Sequence, residues 1–274
     1  MKKEIIDVDK AQGIARVTTT DERWYTKPAA NKETGLPQYE FVPSVTWIAG
    51  HYPKGVAFYK WLANHGWDES QAIKQAAADK GSKIHQAINA LILGNEIRMD
   101  AKFTNPETNQ PDELSTEEYE AVLSFKDWYL DEQPQKIIAS EYVVWGDGYA
   151  GTVDIKYHKK DGRIGILDLK SGQYIWPEYE LQLSAYKHAH PDQIDFLEIL
   201  QVGYKRNQKR YKLTEIEDKF PLFLAARQIW LNETAGQKPL QRDYPLSISL
   251  PKDTPEPPAP KVAKPKTQKQ SAGN

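Results

Sequence analysis

The chain has 274 residues, 36 lysines and arginines against 38 aspartates and glutamates, a formal net charge of −2, and no cysteine. That length allows one large domain, or one domain with a smaller appendage, and it buries a core without covalent staples. The missing cysteines exclude disulfides, thiolate nucleophiles, cysteine-ligated zinc and iron–sulfur clusters, and the near-neutral charge argues against coating nucleic acid by bulk electrostatics.

In chain order, the first 40 residues carry short β-like runs at 14–19 and 23–26, split by turn residues. No apolar run approaches the ~18–20 residues of a membrane span, and the start of the chain lacks the apolar stretch of a signal peptide, so a cytoplasmic protein is expected. Pro43-Ser44-Val45-Thr46 leads into a helical stretch at 55–63. A longer helical pattern covers 69–93, with an interruption expected near Gly81 and a stop at Gly94. Residues 100–114 are polar, contain Pro106 and Pro111, and read as a loop. Ser115 with Glu118 is a capping-box signature for a helix running to Glu132.

The period then changes from helical to alternating. Residues 137–145, 149–157 and 163–170 read as three strands joined by tight turns, followed by a helix at 177–190 that opens on Pro177. Strands are expected at 195–204 and 209–213. A last helix runs to about Asn232, with Thr214 and Glu217 as its capping box. Residues 251–274 hold six of the 18 prolines and five lysines against two acids, a net +3 that leaves residues 1–250 at −5. Such a tail cannot offset its ordering entropy, so it is expected to be disordered beside a domain at 1–250. The element order predicts an α/β protein with a mixed central β-sheet flanked by helices.

Charge on the three strands carries the chemistry. Asp168 and Lys170 end an otherwise apolar strand, Ile164-Gly165-Ile166-Leu167, of a kind buried on both faces. An acid and a lysine there cost free energy unless they are paired or hold a metal. Lys160-Asp161-Gly162 fits a three-residue hairpin loop with Gly162 left-handed, which sets Asp154 opposite Asp168 with Lys170 on the same face. A two-residue loop at Asp147-Gly148 sets Glu141 opposite Asp154. Three converging carboxylates repel one another, and one lysine cannot neutralise them, whereas a divalent cation with oxygen ligands does. The competing reading is a scatter of solvated edge charges.

Four motifs occur in order: Gly81-Ser82-Lys83-Ile84-His85, Gly151-Thr152-Val153-Asp154, Asp168-Leu169-Lys170-Ser171-Gly172 and Gln182-Leu183-Ser184-Ala185-Tyr186. With these the sequence resembles the PD-(D/E)XK nuclease superfamily, in its RecB-like exonuclease branch, across residues 81–190. Residues 43–46 resemble the opening segment of small stand-alone members, many of them phage-encoded. The resemblance implies a restriction-endonuclease-like core and Mg2+- or Mn2+-dependent DNA hydrolysis, most simply exonucleolytic, in recombination, repair or phage DNA metabolism. It further implies that Asp154, Asp168 and the Leu169 carbonyl hold the metal, with His85 and Glu141 as further ligands. Lys170 then positions or deprotonates the attacking water and stabilises developing charge. Ser171, Gln182 and Tyr186 are expected at the DNA, the last two sharing a helix face that either contacts the backbone or braces the lysine. The implied partners are DNA and a recombination or single-strand-binding protein, with no membrane and no iron–sulfur cluster.

Softer candidates flank the motifs. Tyr174 and Trp176 offer rings to an unpaired base, against the alternative of core aromatics. Lys205, Arg206, Lys209, Arg210 and Lys212 form a basic hairpin for phosphates, against a solvated tip. His85 shares a helix face with Ile88 and Ile92, where a histidine is ordinarily a satisfied core residue. A structure- or site-specific endonuclease and a catalytically silent nucleic-acid-binding protein are the competing functions.

Overall fold

The computed structural model describes residues 4–19, 22–30, 37–106 and 108–239, together with Ser247 and Ser249; the expected tail, 251–274, lies outside the described residues. Strands β1 (Glu4–Asp9), β2 (Ile14–Thr18), β3 (Arg23–Ala30) and β4 (Pro37–Pro43) form an antiparallel sheet in that order. The sequence marks only β2 and the start of β3. Acid-rich β1 and proline-bounded β4 are the edges, where an unpaired side tolerates residues that a central strand does not. Ser44 then caps helix α1 (Val45–Ala49), accepting a hydrogen bond from the Trp47 N–H at 3.1 Å. Trp24, Trp47 and Trp230 pack edge to face, with centroids 5.1 to 5.9 Å apart.

Helix α2 (Val56–Ile92) breaks at Gly66 (φ 73°, ψ 175°) and not near Gly81. A side chain at Gly66 would be strained at this φ, whereas Gly81 continues the helix. Lys74 Nζ lies 5.1 Å from the Phe58 ring centroid, so the chain folds back at the break, since unbroken helix would put ~24 Å between those positions. The expected loop at 100–114 is a hairpin, β5 (Lys102–Asn105) and β6 (Gln110–Glu113). Pro111 fits this two-stranded ladder because no third strand needs its missing N–H. Helix α3 (Thr116–Glu132) has the full capping box: Ser115 Oγ accepts from the Glu118 N–H at 3.3 Å, and Glu118 Oε2 accepts from the Ser115 N–H at 2.7 Å.

Strands β7 (Lys136–Gly146), β8 (Tyr149–His158) and β9 (Ile164–Lys170) form the expected meander. After helix α4 (Pro177–Ala189), strand β10 (Phe196–Val202) returns parallel to β9, and β11 (Tyr211–Ile216) pairs antiparallel with β10. The five-stranded order is β11-β10-β9-β8-β7, a mixed sheet. Thr214 lies inside β11, opposite Ile199, and does not cap the last helix. Helix α5 (Phe220–Thr234) starts after Lys219 without a side-chain cap, because the ladder claims Thr214 and a proline in the first turn sets the start.

Both sheet faces are buried. One core joins Val153, Ile166 and Ile199 to α4 and α5 through Leu183, Tyr186, Phe223 and Trp230. The other joins Ile155, Leu167 and Leu200 to α2 and α3 through Ile84, Ile88, Phe125 and Trp128. The N-terminal sheet braces the start of β8: Ser44 bridges Ala150, and the Tyr25 and Thr152 hydroxyls share a 2.9 Å hydrogen bond. Among the described residues, no helix is long and apolar enough to cross a membrane.

Candidate metal centre

Turn chemistry sets the register as expected. At the β8–β9 turn the Lys159 N–H donates to the Arg163 carbonyl and the Gly162 N–H to the Lys159 carbonyl, both at 3.0 Å, with Gly162 at φ 85°. The ladder runs from His158–Ile164 to Ile155–Leu167 and then stops. Where the next backbone pair would form, the Leu169 N–H donates to Asp154 Oδ2 at 2.7 Å. On the other side Gly146 pairs with Tyr149, and the same frame holds through Tyr142–Val153 to Ser140–Ile155. Between these last pairs Glu141 sits at φ 49°, an uncommon left-handed position for a residue with a Cβ.

This irregularity changes where the acids point. Val153 packs into the core beneath α4, whereas Ile155, two residues on, packs into the core beneath α2 and α3. A regular strand keeps such residues on one face, so β8 reverses its facing at Asp154. Asp154 therefore meets α2, while Asp168 meets α4. The sequence expectation of one shared face for Asp154, Asp168 and Lys170 is corrected to this split arrangement.

His85 lies between the strands. Its Nδ1 is 3.5 Å from Asp154 Oδ1 and 3.6 Å from Glu141 Oε1, and its Nε2 is 3.1 Å from the Leu169 carbonyl oxygen. Ligand atoms of His85, Glu141 and Asp154 all lie within 4.8 Å of one another. Both ring nitrogens of His85 therefore have polar neighbours, a carbonyl on one side and two carboxylates on the other. Burial alone would lower its pKa; the Asp154 and then Glu141 carboxylates overcome this and raise it to about 10.

Asp168 is 2 % exposed. Lys170 Nζ lies 2.5 Å from its Oδ2, a buried ion pair. The Gln182 amide donates to its Oδ1 at a long 3.3 Å. Burial raises the Asp168 pKa above the usual carboxylate range despite Lys170, and the Asp154 charge adds to the rise. Burial also raises Asp154, but His85 and Lys170 reverse the sign and leave it below its ordinary value. For Lys170, burial is outweighed by Asp168 and Asp154, so its pKa is raised and the ammonium stays charged.

The remaining predicted residues fall into three groups. The Gln182 amide donates to the Tyr186 hydroxyl at 2.9 Å, and Tyr186 is buried in contact with Gly151, an arrangement in keeping with the bracing alternative for this pair. Ser171 lines a pocket of about 160 Å³ with Lys80, Glu117, Lys205 and Arg210. Three of the hairpin cations are already paired with acids of α3: Lys205 with Glu117, Arg210 with Glu120, and Lys209 with Asp131 at 2.8 Å. Tyr174 and Trp176 are exposed, which overturns the core alternative for them. Sequence reasoning missed Tyr179, whose ring lies 4.6 Å from Lys170 Nζ. Its signal was the three-residue spacing to Gln182 on one helix face.

Comparison of the chain with protein-family models and with curated proteins found no match.

Proposed function

We propose that the chain is a metal-dependent nuclease with a restriction-endonuclease-like core, of the RecB-like exonuclease kind, hydrolysing phosphodiester bonds in DNA. The observation that supports this most is the convergence of His85, Glu141 and Asp154 within 4.8 Å beside the Asp168–Lys170 strand end. The donor set fits a divalent cation: carboxylate oxygens, a backbone carbonyl and one imidazole suit Mg2+ or Mn2+. The buried Asp168 carboxylate, with Lys170 as its ion-pair partner, adjoins this set.

Asp154, Glu141, His85 and the Leu169 carbonyl would hold the ion, with Asp168 adjoining. Such an ion supplies Lewis acidity at a scissile phosphate and a more acidic attacking water. The protein's own groups do the rest. Lys170, charged and pinned between Asp168 and the Tyr179 ring, orients a water and stabilises negative charge on the phosphate; its raised pKa favours this role over proton abstraction. Gln182 holds the Asp168 carboxylate from the α4 side, and the Leu169 N–H holds Asp154 from the strand side.

The test is a Mg2+ or Mn2+ cleavage assay on end-labelled linear DNA beside a closed circle. Release of nucleotides from linear DNA only, abolished by EDTA, is the expected result. Cleavage of the circle would make it an endonuclease, and full activity in EDTA would remove the metal from the mechanism.

A further inference from the structure

Between Lys170 and α4 the chain runs as Ser171–Trp176, and this segment is anchored by hydrogen bonds at Gly172 and Gln173. The Gln201 amide donates to the Gly172 carbonyl at 2.8 Å, the Gln173 amide donates to the Gly203 carbonyl at 3.1 Å, and the Lys205 N–H donates to Gln173 Oε1 at 2.9 Å. On this support stand two aromatic rings facing solvent, Tyr174 at 59 % and Trp176 at 43 % exposure, with centroids 6.3 Å apart and planes tilted by 45°. Large exposed rings held by a bonded backbone are costly to leave in water and mark contact surfaces.

One cation completes the group. The Arg206 guanidinium carbon lies 4.8 Å from the Tyr174 ring centroid. Lys205, Lys209 and Arg210 on the same turn are neutralised by acids of α3, whereas Arg206 makes no ion pair among the described residues. Among the described residues, Arg206 and Lys212 are the hairpin cations without an ion pair, and Arg206 is the one set against the Tyr174 ring. The rings are also close to the chemistry. Four residues span at most ~14 Å, which bounds the Lys170–Tyr174 backbone separation, and Trp176 precedes the helix that brings Tyr179 onto Lys170.

We infer that Tyr174, Trp176 and Arg206 form a stacking platform for the unpaired end of a nucleic-acid strand, delivering single-stranded rather than paired substrate to the metal centre. The inference rests on the nuclease reading and adds strandedness to it. Aromatic faces accept any base but only one freed from its duplex stack, and a lone guanidinium beside them matches one backbone phosphate. A duplex-binding surface needs instead a stripe of free cations, and here three of the turn's cations already face acids of α3 at the surface.

The test is fluorescence anisotropy of the full chain in EDTA, with a labelled single strand and a blunt duplex of the same sequence. Expected is single-strand binding at least about tenfold tighter than duplex binding. Tyr174→Ala or Trp176→Ala should each weaken the single strand by about tenfold, Tyr174→Phe should retain it, and Lys209→Ala should change it less than about twofold. Equal binding of both forms by a protein that still cleaves DNA with metal would overturn the platform and leave the nuclease reading standing. So would unchanged single-strand binding in both ring variants, the outcome expected if a partner protein covers these rings. Absence of any nucleic-acid binding or cleavage by the wild type would overturn both.

Discussion

Two carboxylates on adjacent strands of the same sheet, Glu198 and Asp168, are buried to the same 2 %, and they are treated in opposite ways. Glu198 is satisfied twice: the Tyr157 hydroxyl donates to one oxygen, and Lys159 Nζ donates to the other at 2.6 Å. Asp168 has a long amide donor on one oxygen and the Lys170 ammonium at 2.5 Å on the other, with a second acid and a histidine nearby. Lys159 neutralises Glu198. Lys170 acts on both Asp168 and Asp154, so part of the negative charge remains open to something brought from outside. Burial alone therefore does not distinguish a structural acid from a functional one; the balance of charge around it does.

Breaking each cluster should have separable consequences. Asp154→Asn or Lys170→Ala should lower metal-dependent cleavage by about a thousandfold or more, with circular dichroism and melting little changed. Glu198→Ala should do the reverse. It leaves the Tyr157 hydroxyl unpartnered and Lys159 with only its 3.8 Å contact to Glu215, and should cost about 3 kcal/mol in denaturant unfolding, while leaving cleavage by the folded fraction intact. Gly151→Ala sharpens the link between packing and site. A Cβ there would lie 2.4 Å from the Tyr186 ring, so α4 must shift, at about 1–3 kcal/mol, and Gln182 shifts with it. Reduced cleavage alongside that stability loss would tie the brace to the centre, and unchanged cleavage would cut the tie. Smallest of all, Ser115→Ala removes the cap of α3 and should cost about 1 kcal/mol in melting with no effect on cleavage by the folded protein.

What was legible in the sequence was local. The Asp161–Gly162 and Asp147–Gly148 turns carry their own geometry, so the pairing frame up to Ile155–Leu167 and Tyr142–Val153 follows from the turn residues, while the facing of the acids beyond it does not. The Ser115 capping box was legible for the same reason. The Thr214 box was not real, because a cap motif and a β-branched strand residue look alike until pairing with β10 decides between them. The reversal of β8 at Asp154 was invisible: it accompanies a left-handed backbone at Glu141 on β7, a conformation that a residue with a Cβ does not signal in sequence. The hairpin cations misled for a related reason. Their partners Glu117, Glu120 and Asp131 lie 78 to 90 residues away in the chain, so a basic run appeared free when three of its members were paired. The role of His85 rested on the motif resemblance, since helical spacing alone places it on an apolar face.

The claim that the open cluster, and not the closed one, takes a cation is tested most directly by calorimetric Mn2+ titration of three proteins: wild type, Asp154→Asn and Glu198→Gln. A shared site at His85, Glu141 and Asp154 requires binding in wild type and Glu198→Gln and its loss in Asp154→Asn. No binding by folded wild type, or equal binding in all three, would contradict it.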